Sequence, residues 1–317
     1  MDEKLMRSLI DPELLDNYDK SAGFDLRHLD TFKPACDKQE LANLKDDPDV
    51  HIYEKMIPGP EGAPDIKLRI YEPTDRTAEP LPCGMFFHGG GFLFGSVYRQ
   101  NDMCLRMCKN VNMVVVSVEY RLSPMYKAPA PIEDAYTALL WIDKNHNEIG
   151  IDNTKIAITG LSAGGCVTAA LALMTRDRKG PKPVLQIPLY AMLDHKADTC
   201  SQHAVTSEKV WCYNYSKIAW DTYIEKGTEL NYYISPILAE DLSDLPPVFS
   251  FIGTVDPLLD ENIEYWNKLI HAGIPVEYHI FPGCYHSFEI AVPDSHYGKM
   301  AYNLMYSALR RAFGTEK

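Results

Sequence analysis

A chain of 317 residues, 46% hydrophobic and 24% charged, holds enough apolar surface for a large buried core, in two domains or in one domain with an inserted subdomain. Its formal net charge of −13 argues against nucleic acid and anionic lipid surfaces as partners, because the field around the chain repels them. The start, MDEKLMRSLIDPELL, lacks a basic segment followed by an apolar one, and runs such as residues 113–116 fall far short of the ~20 residues that span a bilayer, so a cytoplasmic protein is expected.

Residues 1–50 read as charged helices. Leu5, Met6, Leu9, Ile10, Leu14 and Leu15 recur at helical spacing, and Asp11-Pro12 supplies a start signal. The stripe predicts helices packed on a neighbour, with no chemistry in them. The turn Gly59-Pro60-Glu61-Gly62 precedes Ile66, Leu68 and Ile70, whose alternation with Lys67 and Arg69 predicts a half-exposed strand. Further strands are expected at 85–87, 114–118, 156–159, 184–187, 248–252 and 276–281. Helical stripes lie between them, one through Ile132, Ala135, Tyr136, Leu139 and Leu140, another through Leu259, Ile263, Trp266 and Ile270. Such alternation predicts an α/β fold, a mostly parallel sheet with helices on both faces.

Residues 195–235 break the rhythm. They carry Trp211, Tyr213, Tyr215, Trp220, Tyr223, Tyr232 and Tyr233 but no clear strand. A helical insertion is expected there, forming with residues 1–49 a cap over a catalytic domain made of residues 50–194 and 236–317. Its aromatic side chains either line a pocket or fill the cap's own core.

The eight cysteines are scattered without a CxxC pair. Cys104 and Cys108, one helical turn apart, read as small apolar side chains on a buried face rather than as metal ligands. A reducing compartment keeps such thiols free.

Four motifs carry chemistry. Gly160-Leu161-Ser162-Ala163-Gly164 follows one predicted strand and precedes a helical pattern, the context in which a GxSxG turn exposes a nucleophilic serine. Gly160 and Gly164 let the chain turn sharply there. His88-Gly89-Gly90-Gly91 follows another strand and has the form of an oxyanion-hole loop, in which amides approach a substrate oxygen unobstructed. Gly90, Gly91 and Ala163 are the expected donors, with Gly89 supporting the loop. His88 is expected to be structural, because a base preceding the nucleophile breaks the Ser, acid, His chain order. Asp256 follows the strand 248–252 and is the expected acid. Asp260 is its rival, though Asp260-Glu261 reads better as charge in the first turn of a helix. His286 follows the strand 276–281 and is the expected base, whereas His279 lies within that strand and His296 approaches the last helix.

With these motifs in place, the chain resembles the hormone-sensitive-lipase-like branch of α/β hydrolases, which includes bacterial acetyl esterases and arylacetamide deacetylases. The likeness runs from about residue 50 to 313 through HGGGF (88–92), EYRLSP (119–124), APAPIEDAY (128–136), GLSAGG (160–165), DLSDLPP (241–247), DPLLDE (256–261) and PGCYHSF (282–288). It implies an eight-stranded, mostly parallel sheet under a helical cap. It also implies hydrolysis of short- to medium-chain esters without metal or organic cofactor, and supports the assigned triad and oxyanion donors. Many relatives have an acidic residue where Leu161 stands, Asp for Glu119 and Glu for Met125, which bears on substrate rather than chemistry. Deacetylation of sugars or drug-like compounds, amide cleavage, or ligand binding without catalysis on the same fold are the competing readings. The expected partner is a small ester. Dimers are common among such relatives, which leaves a homodimer open.

Overall fold

The computed structural model describes residues 3–76 and 79–316. Eight strands form one sheet: β1 (Val50–Ile57), β2 (Ile66–Pro73), β3 (Leu81–Phe87), β4 (Val114–Val118), β5 (Ile151–Leu161), β6 (Leu185–Leu189), β7 (Val248–Val255) and β8 (Val276–Tyr285). Their spatial order is β1-β2-β4-β3-β5-β6-β7-β8. β2 runs antiparallel to β1 and β4, and all other neighbours pair parallel. The expected α/β architecture is thus present.

Strands β3, β4 and β6 are buried at every residue, so both faces of the sheet are covered, as continuous apolar runs require. The helices Ala130–Lys144 and Ala163–Asp177 pack on each other, as do Asn101–Val111 and His296–Phe313. Cys104 and Cys108 lie fully buried within the third of these, as small apolar side chains do. Strand β1 escapes a periodicity reading because it is a polar edge strand, buried at its two ends and largely open between. It joins β2 through the Gly59–Gly62 turn, where the Ala63 amide donates to the Pro60 carbonyl at 2.8 Å.

The half-exposed reading of β2 needs correction. Arg69 is buried at 8% exposure because its guanidinium is satisfied, by Glu54 at 2.9 Å and by the Tyr71 hydroxyl at 3.0 Å. The N-terminal stripe also divides: Met6, Ile10 and Leu14 are buried, while Leu5 and Leu9 stand about half exposed. The three short helices Glu3–Leu9, Pro12–Leu14 and Leu15–Lys20 break the single periodicity that the stripe assumed. Residues 195–235 contain the helices Cys200–Ala204 and Tyr213–Tyr223 and no strand. Among the described residues no helix is long and apolar enough to cross a membrane.

Candidate active site

Strand ends place the site. Ser162 is the first residue after β5, Asp256 after β7, His286 after β8 and His88 after β3. Since these strands belong to the parallel part of the sheet, all four residues emerge at one rim. This is where open α/β sheets put functional groups.

Ser162 holds φ 56° and ψ −115°, a conformation that L residues rarely adopt, between β5 and the helix Ala163–Asp177. Neighbouring backbone fixes it. Its amide donates to the Leu189 carbonyl at 3.0 Å, and its carbonyl accepts from Cys166 at 3.1 Å and Met192 at 3.0 Å. The next turn presses so closely on β3 that a Cβ on Gly164 would lie 2.1 Å from the Phe87 carbonyl oxygen. Only glycine permits that approach.

The His286 ring nitrogen Nδ1 lies 2.8 Å from Asp256 Oδ2. Asp256 is 1% exposed, and its other oxygen accepts from the Leu258 amide at 2.9 Å. With Nδ1 committed to the carboxylate, Nε2 is the nitrogen left for other partners. Asp260 stands elsewhere: its carboxylate accepts from the Ser201 amide at 2.7 Å and ties down the helix Cys200–Ala204. Its neighbour Glu261 is not a surface dipole partner as its sequence position suggested. It is 1% exposed, accepts from the Leu193 and Asp194 amides at 2.7 and 3.2 Å, and burial pushes its carboxyl up to about 8.

Ser162, His286, Gly89 and Gly90 line a cleft of ≈ 180 Å³ together with Trp211 and Phe94. Gly91 sits beside it. A Cβ there would come 2.5 Å from the Trp211 ring, so this glycine lets the indole close down on the loop. Trp211 in turn lies 6.0 Å from the His286 ring. The other aromatics of its segment divide: Tyr223 stacks on Phe92 at 3.9 Å and Trp220 is buried beside it, filling core rather than cleft. Asn17, Ser21 and Phe24 line the cleft as well, so the N-terminal segment, read in the sequence as helices without chemistry of their own, contributes to its wall.

His88 is fully buried, stacked on Tyr120 at 4.2 Å, with Nδ1 donating to the Gly89 carbonyl at 2.9 Å. Burial pulls its pKa down to about 3, so the ring stays neutral and braces the loop. His279 lies within β8 beside Glu277, 3.0 Å away, and His296 is an exposed helix start. Among the described residues no group of three or more His, Cys, Asp or Glu is placed to hold a metal ion.

Two side chains near the base were missed in the sequence. The Tyr190 ring meets the His286 ring edge-on at 4.8 Å, and its hydroxyl donates to the buried carboxyl of Glu289. Burial raises Glu289 to about 7. Neither residue has a local pattern that reveals it: Tyr190 looks like a strand end, and Glu289 like a polar residue in a loop.

A family model described as an alpha/beta hydrolase fold matches residues 84–290, more than half of the chain. Among similar curated proteins is esterase LipI of Mycobacterium tuberculosis, 33% identical over 241 residues, 73% of each chain. The chain belongs to the hormone-sensitive-lipase-like esterases of the α/β-hydrolase fold. Carboxylesterase NlhH of the same organism is 34% identical, covering 78% of this esterase and 79% of the relative. Among solved structures, a bacterial heroin esterase superposes with a TM-score of 0.91 at 31% identity, over 96% of this esterase and 98% of that chain.

Proposed function

We propose that Ser162, His286 and Asp256 are the nucleophile, base and acid of this carboxylic-ester hydrolase. The observation that carries the assignment is the 2.8 Å bond from the His286 imidazole to buried Asp256, made while His286 and Ser162 line one cleft. In this reading His286 takes the proton of Ser162 as Oγ attacks the ester carbonyl, and Asp256 holds the tautomer and stabilises the imidazolium. The amides of Gly90, Gly91 and Ala163 receive the oxyanion, each such donor stabilising the transition state by about 3 kcal/mol in comparable sites. Transfer of the proton from His286 to the leaving oxygen releases the alcohol. Water, deprotonated by the same histidine, then attacks the acyl-enzyme and frees the acid and Ser162. The chemistry asks for no cofactor.

Residues 1–49 and 195–235 act as a cap over this rim, with Trp211 bounding the acyl side. A cleft of ≈ 180 Å³ suits short acyl groups and supports a preference for short- to medium-chain esters. Eight free cysteines support a reducing, cytoplasmic location. A panel of p-nitrophenyl esters from acetate to palmitate, run on wild type and Ser162→Ala, tests the reading. Turnover should peak at short chains, fall away beyond about ten carbons as the bounded cleft requires, and vanish in the variant. Turnover by Ser162→Ala would overturn the nucleophile. Failure of a fluorophosphonate to label Ser162, with no ester turned over, would instead favour a binding protein.

A further inference from the structure

Behind the imidazole of His286 stands a second carboxyl group that the ester mechanism leaves unused. Glu289 is fully buried on the short helix Phe288–Ala291, which begins two residues after His286. One of its oxygens, Oε1, accepts from the Tyr190 hydroxyl. The Tyr190 ring meets the His286 ring edge-on at 4.8 Å. The phenol therefore spans from the base, at its ring, to the acid, at its hydroxyl. Tyr190 is itself fully buried, and its amide donates to the Phe251 carbonyl at 3.2 Å, which anchors the bridge to β7.

The place is a poor one for an acid that serves packing alone. Among the described residues, its second oxygen, Oε2, is buried without a hydrogen-bond partner. Burial works against the charged form, and so does the like charge of Asp256. The Tyr190 hydroxyl and the field of a charged His286 act the other way. Tyr190, Tyr302 and Cys284 also face the carboxyl, but burial raises all three, so they stay neutral where the enzyme works. Asp256 and His286 are thus the charges that Glu289 feels. The balance leaves its carboxyl at about 7, so an enzyme working above neutral pH carries a negative charge behind its base. A glutamine or an apolar side chain would fill the same volume without burying that charge.

We propose that Glu289 is a positioning residue of the reaction, whose carboxylate, oriented by the Tyr190 hydroxyl, stabilises the imidazolium that forms on His286 as Ser162 loses its proton. The proposal rests on the reading of Ser162, His286 and Asp256 as the triad. Asp256 fixes the tautomer through Nδ1. Glu289 adds negative field without a bond to the ring, and no proton moves to either acid. An opposite charge nearby favours the charged form of a titrating group, and more so in buried surroundings than in water. The imidazolium forms in both acylation and deacylation, so one charge speeds both halves. An acid that weakens the fold where it ionises thus aids the chemistry over the same pH range.

The kcat/KM profile of Glu289→Gln on p-nitrophenyl acetate, measured from pH 5.5 to 9, tests the role. At pH 8.5 the variant should fall about threefold or more below wild type, because the stabilising charge is gone. At pH 5.5 the wild-type carboxyl is protonated and the variant should equal or exceed wild type, its acidic limb lying at lower pH. A variant-to-wild-type ratio that stays constant across the range is what a packing role gives, and it overturns the proposal, as does a larger deficit at pH 5.5. If Glu289→Gln does not fold, Tyr190→Phe takes its place. Loss of the hydroxyl bond disfavours the carboxylate, so this variant should lag wild type at pH 7.5 and rejoin it by pH 9. Coincident profiles or a constant gap are then the overturning results. Absence of wild-type turnover together with an unlabelled Ser162 is a different failure, of the triad itself, and takes the proposal with it.

Discussion

The Asp11 amide donates to the carbonyl of Gly283 at 2.9 Å, so the first helices of the chain are bonded to the end of β8, three residues before His286. A second tie lies alongside, from the Tyr285 hydroxyl to Asn17 Oδ1 at 2.7 Å. Gly283 has φ 69°, and a Cβ there would stand 2.7 Å from the Asp11 nitrogen. Gly283→Ala should therefore lose about 1–3 kcal/mol of stability in urea unfolding. Its kcat should fall with it, as the base is displaced. An alanine variant as stable and active as wild type would show that this contact does not hold His286 in place.

Asp256→Asn should lower kcat by about 10⁴, the cost of the wrong histidine tautomer in a comparable triad. Asp260→Asn should stay within about tenfold of wild type, since its partner is the Ser201 amide, a bond of modest worth. Steady-state kinetics on one p-nitrophenyl ester decide between them, and the reverse ranking would move the acid to Asp260.

Glu289 gives the fold a pH response. Its carboxyl titrates near 4.5 when unfolded and about 7 when buried, so the native state holds the proton longer. Between these values the native state binds more protons, and stability falls as the pH rises from about 4.5 through 7. Glu261, raised to about 8, adds a loss of the same sign that extends to higher pH. Urea unfolding at pH 5 and pH 8 should show Glu289→Gln losing less stability across that interval than wild type. Equal losses would mean that Glu289 ionises freely in the folded chain.

Trp211→Ala should remove the wall against Gly91 and lengthen the acyl chain accepted. The octanoate to acetate ratio of kcat/KM should rise several-fold, as apolar contact at about 0.8 kcal/mol per buried methylene becomes available. An unchanged ratio on the p-nitrophenyl panel would place the acyl boundary elsewhere.

The sheet was legible because its inner strands are buried on both faces and read as apolar runs between turn residues. Strand β1, whose middle stays open to solvent, left no such run, and Arg69 looked exposed until its partners Glu54 and Tyr71 were seen. Ser162 was legible from a glycine-rich motif directly after a strand, and Asp256 and His286 from their places in the loops after two later strands, in the chain order Ser, acid, His. What stayed hidden depends on contacts between distant segments. Asn17 and Phe24 reach the cleft from the far end of the chain, Tyr190 and Glu289 meet across 99 positions, and Glu261 is buried by loops that no periodicity reports.

The cleft takes side chains from Asn17 at one end of the polypeptide to Ala291 near the other. The wall of the cleft is therefore complete only once Ala291 has joined Asn17, long after the strands on either side of Ser162 can pair. Loss of the residues ahead of Ser21 would take Asn17 from the wall of the cleft together with Met6, Ile10, Leu14 and Tyr18 from the core.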